Sequence, residues 1–227
     1  MPVFADELMK LRRRVGDLFT EAGAEIMSSD VKTSDGAQYK AAELIDAYND
    51  AINEYLGYLT SAKAKAQWSE YAPGYVVLKE NVTSTSSKIN LDSVSPIPFR
   101  IIAVKKYNTT IATDVITENL PAEYFAYKNN LVIHASKDKT FCVMSDGTNW
   151  TMFFLPSDPT AVDIIYLKRH TDLTSSITTE FDKSFSQAAL KNILVYAELA
   201  MKRGKTYDVI KDSPEARLQA IAAEDKK

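Results

Sequence analysis

Apolar residues in the first third of the chain recur with helical spacing. Within residues 8–22 they follow one another at three- and four-residue steps, and they are Leu8, Leu11, Val15, Leu18, Phe19 and Ala22. This spacing places them on one face of an amphipathic helix. After a polar linker, a longer helix is predicted, with apolar positions at Ile45, Tyr48, Ile52, Tyr55, Leu56 and Leu59. Their near-heptad spacing suits a long helix–helix contact.

The pattern changes between Trp68 and about Arg169, where short β-branched runs alternate with turn signals. Examples are "YVVLKENVT", "PFRIIAVKKYN", "TFCVMS", "WTMFFLP" and "AVDIIYLKRH". Strands spaced by about 8 to 12 residues are typical of an antiparallel sandwich or small barrel. From about Ser184 the helical period returns in "SFSQAALKNILVYAELAMKRG", and "SPEARLQAIAAEDKK" predicts a final helix.

These segments predict an α+β fold with two domains. Residues 1–67 and 184–227 are expected to form a helical bundle, made of an N-terminal helix pair and C-terminal helices. Residues 68–183 are expected to form an inserted antiparallel β-sandwich or barrel. Packing the separated helices together is the simplest way to bury their apolar faces.

Composition excludes some classes of function. The chain has 227 residues and a net charge of -3, so charge alone gives no general attraction to nucleic acid or to an anionic membrane. Acidic residues near the start replace the apolar run of a signal peptide, and no stretch approaches the ~20 apolar residues of a membrane span. We therefore expect a soluble protein that is made inside the cell. The seven glycines form no nucleotide-binding motif.

The residues that could carry chemistry are few. Cys142 and His134 lie on neighbouring predicted strands, but the apolar context of Cys142 favours a buried strand residue over a nucleophile. His170 ends a strand, and neither histidine has a second one at metal-ligand spacing. Lys32 occupies a ligand position in "DVKTSDG", which argues against a calcium loop. The sequence thus predicts no catalytic residue, metal site or cofactor, and no enzyme.

Three consecutive arginines stand in the first predicted helix. Consecutive helical residues cannot share a face, so Arg12 and Arg14 flank the apolar face and Arg13 points away from it. Their stems can cover apolar surface while the charged heads stay in water. A solvated face or a subunit contact is favoured over nucleic-acid binding, because a basic cluster alone is a weak signal. Tyr48 and Tyr55 enrich the second helix in a residue type common at subunit boundaries.

With its segments assembled, the chain resembles the head-to-tail adaptor proteins of tailed bacteriophages, which form neck or connector rings. "DELMKLRRRVGDLF" and "YKAAELIDAYNDAINEYLGYL" look like the first two helices of that family. "PIPFRIIAVKKYN", "LPAEYFAYKNNLVIHAS" and "AVDIIYLKRH" look like its β insertion, and "FDKSFSQAALKNILVYAELAMKRGK" looks like its returning helix. The resemblance covers nearly the whole chain.

The resemblance implies a structural protein of the virion. Similar proteins form a ring, commonly of twelve copies, that binds the portal, extends the DNA channel without reading sequence, and provides the platform for the tail. Carried over by region, the β module would face the tail side. The portal-docking element would be the segment 213–227, with Pro214, Arg217, Leu218 and Ile221 as its candidate contact residues.

In such a ring the first two helices would pack between neighbouring subunits. The predicted subunit interface then consists of Arg12, Arg13, Arg14, Tyr48 and Tyr55. The arginines would pair with acids of the adjacent copy, such as Asp46, Asp50 or Glu54.

A different class of function also fits the pattern. The alternative is a glycan-binding β-sandwich module on a helical stalk, which predicts a stable monomer with affinity for sugars. An enzyme would need a polar constellation that the sequence does not present.

Overall fold

The computed structural model describes residues 4–15, 41–107, 115–129, 140–155, 159–174 and 181–202. The chain forms two compact units, one of residues 1–74 with 170–227 and the other of residues 75–169. We call these the helical unit and the sheet unit. The described helices are α1 (Phe4–Arg14), α2 (Ala41–Ala62), α3 (Trp68–Tyr71), α4 (Pro121–Asn129), α5 (Phe181–Ser184) and α6 (Gln187–Lys202). None of them is both long enough and apolar enough to cross a membrane.

The helical unit is built on the pairing of α2 with α6, and α1 packs against both. The predicted apolar face of α2 is buried, and its members are Ile45, Tyr48, Ile52, Tyr55, Leu56 and Leu59. The Tyr55 ring makes edge contacts with Phe185, at 6.2 Å between centroids, and with Tyr196, at 6.5 Å. Helices from the two ends of the described chain therefore share one aromatic core.

The sheet unit contains one seven-stranded sheet. Its strands are β1 (Val76–Thr83), β2 (Lys88–Asn90), β3 (Pro98–Lys106), β4 (Val115–Glu118), β5 (Thr140–Ser145), β6 (Trp150–Leu155) and β7 (Ala161–Lys168). Their order across the sheet is β1-β7-β3-β4-β5-β6-β2. All pairings are antiparallel except that of β4 with β5. The sheet curls into a half-barrel.

One face of the sheet encloses the larger apolar core of this unit. Alternate residues point to it, as the period of two requires, and they include Ile101, Val104, Phe141, Met152, Phe154, Val162, Ile164 and Tyr166. The Tyr166 hydroxyl donates a hydrogen bond to the Pro96 carbonyl oxygen at 2.7 Å. A smaller cluster joins Tyr124 of α4 to Cys142 and Leu155.

The predicted fold class is wrong. The chain has a mixed α/β fold with one curled sheet, and helices do not form a dominant bundle around an inserted sandwich. The observed fold departs from the predicted one at α4. The parallel pair β4–β5 needs a crossover connection, and α4 lies between these two strands in sequence. Pro121 at the first helical position and Glu123, whose carboxylate accepts the Leu120 N–H at 3.1 Å, stabilise the start of α4.

Two glycines provide a matched test of the packing of the helical unit. A Cβ atom added at Gly74 would lie 2.6 Å from the Ser184 Cα atom. Because backbone cannot yield as a flexible side chain does, Gly74→Ala should lower the free energy of unfolding by about 1–3 kcal/mol. Urea denaturation of the full chain measures the change.

Gly57→Ala is the control for that variant. Gly57 lies inside α2 with no heavy atom within 4 Å of its added Cβ, so alanine should raise the free energy of unfolding by about 0.5–1 kcal/mol. Equal stability of the two variants would contradict the close approach of Gly74 to Ser184.

Candidate functional site

Helix α1 places its three arginines in different surroundings. Arg12 is 1% exposed, whereas Arg13 and Arg14 are exposed. The expectation that the Arg12 head stays in water is therefore wrong. One guanidinium nitrogen of Arg14 lies 3.5 Å from the Glu198 carboxylate of α6 in the same chain. The predicted subunit interface stays a prediction. Of the three arginines assigned to it, Arg13 and Arg14 reach the surface of the chain.

The two tyrosines assigned to that interface are covered within the chain. Tyr48 packs edge-on against Phe4 at 5.4 Å between ring centroids. Its hydroxyl donates to the Glu7 carboxylate at 3.3 Å. Tyr55 is 1% exposed among the aromatic residues of the helical core. Both side chains therefore act first in intramolecular packing.

Two buried carboxylates, which sequence reasoning missed, lie among the helices. Glu7 is 2% exposed and forms an ion pair with Lys10 at 2.6 Å. Glu198 is 8% exposed and forms an ion pair with Lys202 at 2.6 Å. The three- and four-residue spacings of these pairs are visible in the sequence, but the burial that makes each carboxylate depend on its partner is not.

Asn49 fastens the chain that leaves the sheet to helix α2. Its side-chain amide donates to the Leu173 carbonyl oxygen at 3.1 Å, and its side-chain oxygen accepts the Leu173 N–H at 2.9 Å. These two bonds fix the orientation of the amide. The same oxygen lies 3.0 Å from His170 Nε2, so this nitrogen of His170 must carry the proton and donate. We call these three residues the Asn49 clasp.

Removing the clasp should destabilise the helical unit. Asn49→Ala leaves both Leu173 backbone groups without these partners, and we expect the free energy of unfolding to fall by about 1–3 kcal/mol. Asp50→Ala, at the exposed next position of α2, should change it by less than about 0.5 kcal/mol. Thermal and urea unfolding measure both variants. An unchanged free energy of unfolding in Asn49→Ala would refute the clasp.

Burial beside Glu7 makes Tyr48 sensitive to alkaline pH. Desolvation raises the pKa of Tyr48 above 10.0, and the charge of Glu7 and its hydrogen bond raise it further, while Arg14 opposes them. Because the folded-state pKa is raised, the stabilising contribution is complete below the unfolded pKa. It is lost as pH rises above about 10, where only the unfolded state ionises.

Tyr48→Phe should therefore flatten the alkaline loss of stability. It should also lower the free energy of unfolding at neutral pH by about 0.5–1.5 kcal/mol, because the hydrogen bond to Glu7 is lost. Tyr58→Phe, on the same helix with a partly exposed ring, is the matched control. Urea denaturation across the alkaline range tests this, and an unchanged slope in Tyr48→Phe would contradict it.

The sheet unit contains a polar cleft between its two end strands. Its volume is about 630 Å³, within the usual range of ligand pockets. The lining comes from β1 and Thr85 after it, from β2 and residues 93–95 after it, and from the β5–β6 turn with Thr151 of β6. β1 and β2 lie at opposite ends of the strand order but follow each other in sequence. The short connection with its Thr85–Lys88 bridge brings the two ends together.

The charged groups that line the cleft differ in the partners that they have within the chain. The charged residues of the lining are Lys79, Lys88 and Asp146, and the Lys88 ammonium lies 5.2 Å from the centroid of the Phe153 ring. Asp146 already accepts the N–H groups of Thr148, at 3.1 Å, and Asn149, at 2.9 Å. These bonds lower the pKa of Asp146. The cleft therefore offers cationic and neutral hydrogen-bond donors, and its carboxylate, that of Asp146, already accepts hydrogen bonds from the backbone.

The sequence analysis did not identify this cleft. The polar stretch "TSTSSK" and the Asp146-Gly147 turn are visible in the sequence, and both contribute to the lining or its immediate surroundings. These residues come together only through the order in which the strands pair in the folded sheet.

Cys142 is the candidate nucleophile that the structure describes. Cys142 is fully buried, and burial raises its pKa, with a further contribution from the charge of Glu118. The thiol therefore favours its protonated form. Among the described residues, no group of three or more histidine, cysteine or acidic side chains could hold a metal ion. His134 lies outside the described residues, as do the portal-docking candidates Pro214, Arg217, Leu218 and Ile221.

No protein-family model matches the sequence of this chain, and no curated protein matches it significantly.

Proposed function

We propose that this protein is a structural head-to-tail adaptor of a tailed bacteriophage virion rather than an enzyme. Copies of the chain form a ring, with twelve as the expected number, on the portal. The ring extends the channel through which DNA passes without sequence-specific binding, and it presents a platform to the tail. The order of sequence segments along the chain suggests this role.

The observation that carries the proposal is an asymmetry in exposed apolar surface. Among the described residues, all of the exposed large apolar side chains belong to the sheet unit, and they are Leu78, Ile97, Phe99, Val115, Leu120, Phe125 and Trp150. Large exposed apolar groups favour protein–protein contact when they gather on one part of a molecule. An adaptor whose sheet unit receives tail proteins would use such exposed apolar groups in that contact.

The helical unit supports the same proposal in a different way. The apolar faces of α1, α2 and α6 are buried within the chain, while Arg13 is exposed and Arg14 is 45% exposed at its side chain. Contacts between neighbouring helical units would then be largely polar. Polar contacts fit subunits that meet only when a portal ring brings them together, because exposed ion pairs alone contribute little to association.

A second candidate function is glycan binding by the sheet unit. The polar cleft between β1 and β2 favours it, because its amides, hydroxyls and lysines can bind sugar hydroxyls. This function predicts a monomer with affinity for sugars and no complex with a portal.

Mixing the purified full chain with a portal ring tests the adaptor proposal. We expect a complex of defined stoichiometry by native mass spectrometry and a ring density by negative-stain microscopy. A chain that ends at residue 212 should lose this complex, because the segment 213–227 is the proposed docking element.

Phe125→Ser is the matched control. Phe125 is 48% exposed in the sheet unit, which we assign to the tail side, so its portal complex should remain intact. Failure of the full chain to bind a portal would contradict the adaptor proposal. Loss of the complex in Phe125→Ser, with the truncated chain still bound, would reverse the assignment of the two units.

A further inference from the structure

We propose that Asp146 is a latent modification site, at which the folded β5–β6 turn suppresses the isomerisation of aspartate to isoaspartate. The reaction becomes fast when the turn opens. This inference concerns the chemistry of the turn and depends on neither the adaptor role nor glycan binding.

The reaction needs only an Asp–Gly pair and water. The backbone nitrogen of the glycine attacks the carboxyl carbon of the aspartate side chain. A C–N bond forms, the C–OH bond breaks, and the amide proton leaves with the hydroxyl group as water, which gives a five-membered succinimide. Water then opens the ring, and opening at the backbone carbonyl gives isoaspartate, with an additional methylene group in the main chain. Glycine favours the attack because no Cβ atom hinders the approach.

The turn holds both carboxylate oxygens of Asp146. One oxygen accepts the Asn149 N–H at 2.9 Å and the Thr148 N–H at 3.1 Å, and the other accepts the Thr151 hydroxyl at 3.1 Å. Ring closure requires the carboxyl carbon to swing onto the Gly147 nitrogen. These hydrogen bonds must therefore be broken before the carbon can be attacked.

The same hydrogen bonds keep the carboxyl group in its less reactive form. The attack releases hydroxide readily only when the carboxyl group is protonated. The N–H groups of Asn149 and Thr148 lower the pKa of Asp146, and the Thr151 hydroxyl and the charge of Lys88 lower it further. The protonated form is therefore rarer at neutral pH than in an unfolded chain.

The attacking nitrogen is also engaged in the turn. The Gly147 N–H donates to the Ser145 hydroxyl oxygen at 3.2 Å, and the Asp146 N–H donates to the Asn149 carbonyl oxygen at 3.1 Å. Residues 145–148 are exposed, so water reaches the turn. Hydrogen bonding, and not exclusion of water, is what protects the Asp146–Gly147 pair.

The chain contains a matched reference for the measurement. Residues 34–36 repeat the sequence Ser-Asp-Gly of residues 145–147, and they lie outside the described residues. The full chain is aged at neutral pH in buffer and in guanidinium chloride, and peptide mapping by mass spectrometry and chromatography quantifies succinimide and isoaspartate. In guanidinium chloride Asp35 and Asp146 should react at similar rates. In buffer Asp146 should react at least about tenfold more slowly than in guanidinium chloride, because it reacts only in the opened turn.

Two variants test the hydrogen bonds directly. Thr151→Val removes the hydroxyl donor to Asp146, and Ser145→Ala frees the Gly147 N–H. Each should speed isomerisation of Asp146 in buffer about two- to fivefold, relative to the rate of the same variant in guanidinium chloride. Thr117→Val is the matched control, because Thr117 is exposed on β4 and pairs with Thr140 at the other end of β5. Circular dichroism checks that each variant is folded.

Two outcomes would overturn the inference. Equal rates for Asp146 in buffer and in guanidinium chloride would show that the fold does not protect this pair. Unchanged protection in both Thr151→Val and Ser145→Ala would show that these hydrogen bonds are not its cause.

Discussion

The order of strands in the sheet is the constraint on which the sheet unit depends. β1 and β2 follow each other in sequence, yet they lie at opposite ends of the sheet. The connecting residues 84–87 are too few to cross a flat sheet of seven strands, whose width is about 4.8 Å per strand. The sheet must therefore curl until its ends approach each other, and positive φ angles at Ser86 and Ser87 allow the tight reversal. The curl encloses the apolar core and leaves the polar cleft where its ends stay unpaired.

The helical unit depends on a different kind of contact. α2 and α6 come from distant parts of the chain, and their apolar faces provide the burial energy. Polar groups then select one arrangement: Glu7 bonds with Tyr48, Glu198 lies beside Arg14, and the Asn49 clasp fixes the chain after β7. A buried polar group without its partner is costly, so alternative packings that separate these pairs are disfavoured. The helical unit is therefore stabilised by apolar burial and by the pairing of polar groups, whereas the arrangement of the sheet unit follows from its curvature.

The features that could be predicted from sequence were those with a local period. The buried face of α2, including Tyr48 and Tyr55, follows from three- and four-residue spacing, and the alternation around Cys142 predicts its burial. Helix α4 was missed because its nine residues carry only a weak apolar face, although Pro121 and Glu123 mark its start. The parallel pair β4–β5, and with it the fold class, depended on that helix. Burial of Arg12 and the bonds of Asn49 depend on residues far away in sequence, for which a local pattern contains no signal.

Amide hydrogen exchange of the full chain, resolved by residue with nuclear magnetic resonance, tests the central claim that the curled sheet is open between β1 and β2. Strand β7 lies between β1 and β3, so its amides should be protected throughout. In β1 only the amides that point to β7 should be protected, and those that point to the cleft should exchange rapidly, because antiparallel bonding alternates along a strand. Uniform protection of β1 and β2 would show that the two strands pair and that the barrel is closed, which would contradict the curled, open sheet and remove the cleft.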